Sequence, residues 1–548
     1  MGQLQLKQLS SLSKVGPNRI YNPTSVKGIS AVRGQEISYQ IAYRGDFFNY
    51  ELTPYDLEIN AYKKFDIQFY TVQTVPVRLP VYRGIRRDDD YLTSEACLLP
   101  DALWPLDEPK VISQVDYWRS LWITVKIPEN CPTGKHYIRI AFRDANGVIQ
   151  GKKTFTVDVH EQILPKQKLL YTQWFYCDCI SDVHHVPVFS EEHWSLIEKY
   201  MKLAAESGIN LILTPVLTPP LDTQIGGERP TTQLVDIVKN GDAYEFEFSK
   251  LRRYIAMAKR CGIPNFEINH MFTQWGASHA PKVIATVDGE EKRIFGWETD
   301  AKSAEYQGFI KQLIPAVLKV FEEEQISRDH LYFHVSDEPK VAHLDYYRAD
   351  AELLLPLIEG CGEIDALSDI TFYENGLVRE PIPATDHIEP FLEANVPNLW
   401  CYYCCGQGNL VGNRYLAMPS YRNRILGVQM YKAGVKGFLH WGYNFYNNQN
   451  SVKKINPYFD TDGEGMFPSG DTFTVYPYRD GATPSLRLKV FHDGLEDMRL
   501  LYLVEEKLGR DAVIEALDRI CGEPLTFKVY PRNNRFFEEL YDFIFANL

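Results

Sequence analysis

The sequence predicts a multidomain protein of the β plus α/β class, an N-terminal β-sandwich followed by a (β/α)8 TIM-type barrel. Three observations predict it. Alternating apolar and polar segments fill residues 30–162, the pattern changes after Pro165 to apolar runs separated by amphipathic helical stretches, and eight such runs follow before residue 548. The expected divisions are an N-terminal segment 1–29, the sandwich 30–162 and the barrel 163–548. A doubly wound sheet is the competing arrangement for the last of these.

In the front part the segments EISYQIAY, KFDIQFYTV, LWITVKIP, HYIRIAFRD and KTFTVDVHE are separated by turn residues such as PENCPTG at 128–134. Leu121, Ile123, Val125 and Ile127 alternate with Trp122, Thr124 and Lys126, the signature of a half-buried antiparallel strand. Nothing in this part carries evident chemistry, so it reads as a scaffold or binding unit. The later apolar runs are 169–176, 209–215, 266–272, 331–335, 364–373, 398–404, 435–441 and 473–478. Helical stretches between them end at Gly208, Gly262, Gly360 and Gly434, where a helix C-cap favours glycine.

A net charge of −14 with no basic cluster argues against nucleic acid or an anionic membrane as partner. No apolar run is long enough to span a bilayer, and MGQLQLKQLSSLSKVG lacks the apolar core of a secretory signal, so a cytoplasmic location is expected. Ten cysteines invite a zinc reading, but Cys177, Cys179, Cys401, Cys404 and Cys405 fall in runs that read as buried strands, where free thiols behave as small apolar groups. Asp460, Asp462 and Glu464 begin a calcium-loop spacing whose twelfth position is Asp471 and not the closing glutamate. No metal and no cofactor are expected.

A barrel places function at the C-terminal ends of its strands. Those ends hold Gln173, Trp174, Tyr176 and Asp178, then Asn269, His270, Gln274 and Trp275, then the HVSDEP run 334–339. Beyond these come Tyr373, Glu374, the HWGYNFYNNQ run 440–449 and Asp480. Aromatic faces stack on sugar rings while amides and carboxylates bind hydroxyls, so carbohydrate is the expected partner. Asp337 and Glu338, adjacent at a strand end and stopped by Pro339, are the expected catalytic pair. Glycoside hydrolysis ordinarily uses two carboxylates that flank the bond, which neighbours in sequence do not easily do. They suit a scheme in which the substrate's 2-acetamido oxygen attacks the anomeric carbon. Asp337 then orients the acetamido N–H, and Glu338 protonates the leaving oxygen and later activates water. Three competing readings remain at this point. One is a two-carboxylate glycosidase pairing Glu338 with Glu374 or Asp480, the second is a non-catalytic carbohydrate-binding protein, and the third is a scaffold in which the front sandwich mediates assembly.

Three stretches, YFHVSDEP (332–339), GFLHWGYNFYN (437–447) and PSLRLKVFHDGLEDMRLLYLVE (484–505), and a looser pattern from Trp122 to Tyr137, carry a family resemblance. The sequence resembles glycoside hydrolase family 123, the β-N-acetylgalactosaminidases, once catalogued as a domain of unknown function. The resemblance runs from about residue 30 onward. It implies a sandwich and barrel, no metal, an oxazoline intermediate, and a preference for GalNAc, with Asp337 and Glu338 as the working pair. Around them the expected substrate-binding residues are Trp174, Tyr373, His334, Trp441, Tyr443 and Asn444. Trp441 or Tyr443 walls the acetamido group with Trp174 opposite, Asn444 binds a hydroxyl, Tyr373 holds the attacking oxygen, and His334 supports the acids from behind. Without the resemblance, the closely spaced acids and bases of RLKVFHDGLEDMRLL read as a solvated, ion-paired helix face.

Overall fold

The computed structural model describes residues 3–46, 52–81, 84, 88–274 and 276–548. Its front part is two five-stranded sheets. The first runs, in spatial order, Gln3–Ser10, Glu36–Asp46, Arg119–Lys126, Asp66–Val77 and Cys97–Pro105, antiparallel throughout. The second runs Gly28–Arg33, Ile149–Ile163, Gly134–Arg143, Thr53–Asn60 and Lys110–Ser113, with its first pair parallel. Segment 1–29, set apart in the sequence reading, thus supplies Gln3–Ser10 to the first sheet and the first two residues of Gly28–Arg33 to the second. Leu121, Ile123 and Val125 of the first sheet share one apolar core with Ile138, Ile140, Phe142 and Val157 of the second. Tyr39 stacks on Phe155 across it, centroids 3.9 Å apart.

The half-buried expectation for Arg119–Lys126 needs correction, because this strand has no wet face over most of its length. Trp122 and Thr124, on the side opposite that core, are fully buried. Trp122 joins the larger core that also holds Leu486 and Leu488 of the long helix Leu486–Leu508. The first sheet is therefore covered on both sides, by its partner sheet and by the rest of the protein.

Behind it lie eight short parallel strands: β1 (Leu170–Gln173), β2 (Leu211–Thr214), β3 (Asn265–Ile268), β4 (Leu331–Phe333), β5 (Gly362–Ala366), β6 (Glu380–Ile382), β7 (Trp400–Tyr402) and β8 (Gly437–His440). Strands β2 to β6 form one five-stranded sheet, and β1, β8 and β7 a three-stranded one. The two curl toward each other at both edges. Asn210 N donates to Tyr171 O at 3.1 Å on one side, and Tyr402 N to Pro383 O at 3.1 Å on the other. Helices return the chain between strands. Ser190, Ser303 and Ser485 cap three of them by accepting a backbone N–H three residues on.

Two expected strands need correction. Run 473–478 does not join the parallel array, since Val475–Tyr478 pairs antiparallel with Gly481–Pro484 in a hairpin. Its place is taken by β6, which the reading passed over because three residues containing Pro381 make a poor strand signal. Run 169–176 also stops early, at Gln173, so Cys177 and Cys179 open the helix Cys177–His184 and are not strand residues.

The helix Leu486–Leu508 is not a solvated face either. Arg487 pairs with Asp101 at 2.8 Å and Lys489 with Glu36 at 2.9 Å, all four buried. Ser11 Oγ donates to Asp493 at 2.8 Å, and Arg424 pairs with Asp497 at 2.7 Å. Gly427 and Gly494 are both required by contact: a Cβ on Gly427 would sit 1.8 Å from Gly494 O, and one on Gly494 would sit 2.6 Å from Arg424 O. These residues of the 484–505 stretch thus fasten the front sheets and neighbouring helices to the parallel strands. Among the described residues no helix is long and apolar enough to cross a membrane.

Candidate active site

The C-terminal ends of the parallel strands surround a cavity of about 200 Å³. Its walls include Trp174, Asp222, Gln274, Asp337, Glu338 and Tyr402, with Trp441 and Phe467 closing one side. A larger open groove of about 500 Å³ lies between the front sheets and the helix Arg535–Asn547. Its guanidinium, Arg424, is already committed to Asp497, and its acids are the half-buried Asp158 and the exposed Glu538 and Asp542.

The acid pair reaches the cavity because the chain turns as soon as β4 ends. Asp365, on β5, accepts the backbone N–H of Val335 at 3.2 Å and of Ser336 at 3.3 Å. Glu338 then adopts φ +44°, a left-handed conformation costly for a non-glycine residue, and its N–H donates to Ala366 O at 3.0 Å. Asp337 and Glu338 thereby both line the cavity, and Tyr402 Oη donates to Glu338 Oε1 at 2.7 Å.

Beneath them His334 is fully enclosed. Its Nε2 lies 2.7 Å from Glu267 Oε1 and its Nδ1 3.3 Å from Asp365 Oδ1. Burial alone would lower the ring's pKa, but hydrogen bonds to Asp365 and Glu267 outweigh it and hold His334 up to about 10, an imidazolium between two carboxylates. Glu267 also accepts Trp174 Nε1 at 2.7 Å and Thr172 Oγ1 at 2.5 Å, so the ion pair orients a cavity wall as well. Tyr347 Oη donates to Asp365. Asp337 is held well above the usual carboxylate range, first by burial and then by the adjacent Glu338 charge, with His334 pulling the other way.

Ligand atoms of His270, His334 and Asp365 lie within 4.8 Å of one another. They do not fit a metal. Both His334 nitrogens are engaged by carboxylates, and the His270 ring stacks on His334 at 4.2 Å with planes 19° apart, so their lone pairs do not converge on one point.

A model described as the glycoside hydrolase 123 catalytic domain matches residues 174–504. The chain belongs to glycoside hydrolase family 123. No curated protein matches it. Among solved structures, a family 123 glycoside hydrolase from Clostridium perfringens, described for glycolipid glycan hydrolysis, aligns over 99% of this chain and 98% of its own, with TM-score 0.74 and 14% identity. That likeness establishes a shared fold. A β-glucuronidase from Parabacteroides merdae (9% identity, 90% and 53% coverage, TM-score 0.32) and an endo-β-1,4-mannanase from Thermotoga petrophila (12%, 61% and 77%, 0.35) align too loosely to bear on it.

Within this family 123 chain, the residues singled out from sequence divide. Asp337, Glu338, Trp174 and Trp441 line the cavity, and His334 lies under it. Trp441 is steadied by Nε1–H donation to Asp471 at 3.0 Å. The structure does not bring Tyr373, Tyr443 and Asn444 there. Tyr373 sits on the short helix Thr371–Glu374, because the fifth run bends away after Ala366. Tyr443 is buried outward, donating to Tyr200 O at 3.0 Å. The Asn444 side chain bridges the N–H and C=O of Tyr176 at 2.9 and 3.0 Å, which fixes the end of the β1 segment. Glu374 is exposed, and Asp480, 86% exposed in the hairpin turn, pairs with Lys199, so neither faces Glu338 across the cavity. Trp275 lies outside the described residues.

Sequence reasoning missed Asp222, Tyr402, Cys404, Cys405 and Phe467 on the cavity wall, while Gln449, the end of the HWGYNFYNNQ run, does reach it. Tyr402 was legible as the aromatic end of the LWCYYCC run. Asp222 sits seven residues beyond the expected strand end at Pro215, behind the apolar, proline-rich VLTPPL, and carried no signal.

Proposed function

We propose that this family 123 enzyme removes a β-linked N-acetylhexosamine from a glycan, with GalNAc favoured by the family resemblance, through retaining, substrate-assisted catalysis. In this reading the curled parallel strands are a (β/α)8 barrel over 163–548 and the front sheets a β-sandwich over 30–162. One observation carries the reading: Asp337 and Glu338, consecutive in the chain, both line the one cavity. Consecutive acids do not easily flank a glycosidic bond, but they serve a substrate that brings its own nucleophile.

The acetamido carbonyl oxygen attacks the anomeric carbon as the C1–O bond to the leaving group breaks. Glu338, held by Tyr402, delivers its proton to the departing oxygen. Asp337 accepts the acetamido N–H and stabilises the positive charge of the oxazolinium. Water then adds to C1, giving its proton to Glu338, and the acetamido group is released with configuration retained. Burial and then the Glu338 charge hold Asp337 well above the usual carboxylate range, and an amide N–H presented to its oxygen favours the ionised form. Trp174 and Trp441 supply the apolar walls for the sugar and its methyl group.

The test is hydrolysis of paired chromogenic β-GalNAc, β-GlcNAc and plain β-galactoside substrates by wild type, Asp337→Ala and Glu338→Gln. Cleavage confined to 2-acetamido sugars and lost in both variants is expected. Turnover of the plain galactoside by Asp337→Ala would sink the mechanism.

A further inference from the structure

Asp222 and Gln274 lie on the cavity wall and take no part in the steps above. Asp222 is held at φ +42° in the loop after β2, against a second loop where Asn450 and Ser451 are also left-handed, at φ +61° and +53°. Three hydrogen bonds lock these loops together. Asn450 N donates to Asp222 Oδ2 at 3.0 Å, Ser451 Oγ to Asp222 O at 2.7 Å, and Gln224 N to Asn450 O at 2.9 Å. Three strained residues held by mutual contacts mark a place where backbone ease has been given up for position.

What is positioned is a donor and an acceptor. Asp222 N–H donates to Gln274 Oε1 at 2.6 Å. Only an oxygen accepts there, so the amide orientation is fixed and Nε2 points the other way. Gln274 is 5% exposed, and its Nε2 is buried with no acceptor among the described residues. Asp222 Oδ1, for its part, receives no hydrogen bond from any described residue. A sugar hydroxyl donates once and accepts twice, so one hydroxyl, or two on neighbouring carbons, satisfies both. The pair also lies close to the acids, since the Asp222 charge contributes to holding the Asp337 proton.

We infer that Asp222 and Gln274 read a ring hydroxyl of the bound sugar and so determine which hexosamine epimer the cavity accepts. This deepens the proposed function and rests on that cavity taking a sugar.

The experiment measures binding apart from turnover. GalNAc, GlcNAc and their 3-, 4- and 6-deoxy analogues are titrated by calorimetry into Glu338→Gln protein, alone and combined with Asp222→Ala, Asp222→Asn or Gln274→Glu. One deoxy analogue is expected to bind about 100-fold more weakly than its parent, as polar sites reject ligands lacking the group they hold. With Asp222→Ala or Gln274→Glu that gap collapses to less than about 3-fold, because the read hydroxyl no longer has its partner. A gap that survives both substitutions overturns the inference, as does an equal loss for every sugar or no binding of any sugar. An equal loss for every sugar, together with lost turnover in Asp222→Asn, would recast Asp222 as a second catalytic carboxylate. Parallel hydrolysis assays on the Glu338 enzyme keep the two readings apart. Absence of turnover with selective binding intact rejects the proposed chemistry and leaves the hydroxyl reader standing.

Discussion

Where the front sheets meet the helix Leu486–Leu508, buried acids face buried bases: Asp101 with Arg487, Glu36 with Lys489, Asp497 with Arg424. At the mouth of the parallel strands the balance is different. Asp222, Asp337 and Glu338 share one small cavity, and the His334 cation beneath is already divided between Glu267 and Asp365. Matched charges hold two parts together, and against the effect of burial Lys489 pulls the Glu36 carboxyl below its ordinary value. In the cavity the acids are pushed up instead, Asp337 well above the carboxylate range first by burial and then by the Glu338 charge, and Asp222 to about 6 by burial. Buried charge alone therefore does not mark a reactive site, since Asp493 and Glu496 of the long helix are pushed up to about 7 and about 8 by burial without lining the cavity.

This contrast can be broken in several ways. Glu338→Gln is expected to reduce kcat on an aryl β-N-acetylhexosaminide by about 10³-fold or more while thermal melting stays unchanged. A variant that lost stability and kept turnover would erase the distinction. Arg424→Met, which strands Asp497 at the seam, is expected to cost about 3–5 kcal/mol of unfolding free energy in urea, with kcat/KM of the folded protein preserved. His334→Asn sits between the two classes. It should lower kcat by about 10- to 100-fold by loosening the turn that carries the acids, with little change in KM.

His334 also makes a pH prediction. Its value in the folded protein, about 10, stands above its ordinary 6.5. The stability it contributes is complete below pH 6.5 and is lost as pH rises through about 10. The stability difference between wild type and His334→Asn should therefore shrink steadily across that window in urea melts taken at successive pH values. A difference that grows with pH would show the ring to be neutral. Smaller still, Trp441→Phe is expected to raise KM about 3- to 10-fold through lost stacking area. Asp480→Ala, removing an exposed partner of Lys199, should leave turnover and melting where they were.

How much was legible in the chain differs between these regions for a physical reason. HVSDEP exposes an acid pair to inspection because sequence neighbours remain neighbours in space, and the apolar run before it fixes which end of the strand they occupy. Trp174 and Trp441 follow the same logic, lying one residue past β1 and β8. Tyr443 and Asn444 were misplaced because side-chain direction beyond a strand end depends on the loop, and here Asn444 turns back to hold Tyr176. The pairing of Glu36, some 450 residues away from Lys489, has no local signature at all, so helix Leu486–Leu508 read as solvated. β6 escaped notice since Pro381 and its short length conceal it, and the hairpin Val475–Tyr478 offered a stronger apolar run in its stead.

The strand Arg119–Lys126, enclosed on both faces, has a consequence for how such a protein is inherited. Cutting at residue 163 would uncover the Trp122 contact and leave Arg487 and Lys489 facing water without Asp101 and Glu36. Neither piece is transplantable. A chimera that swaps only the cavity-bearing part inherits a surface made for a different neighbour.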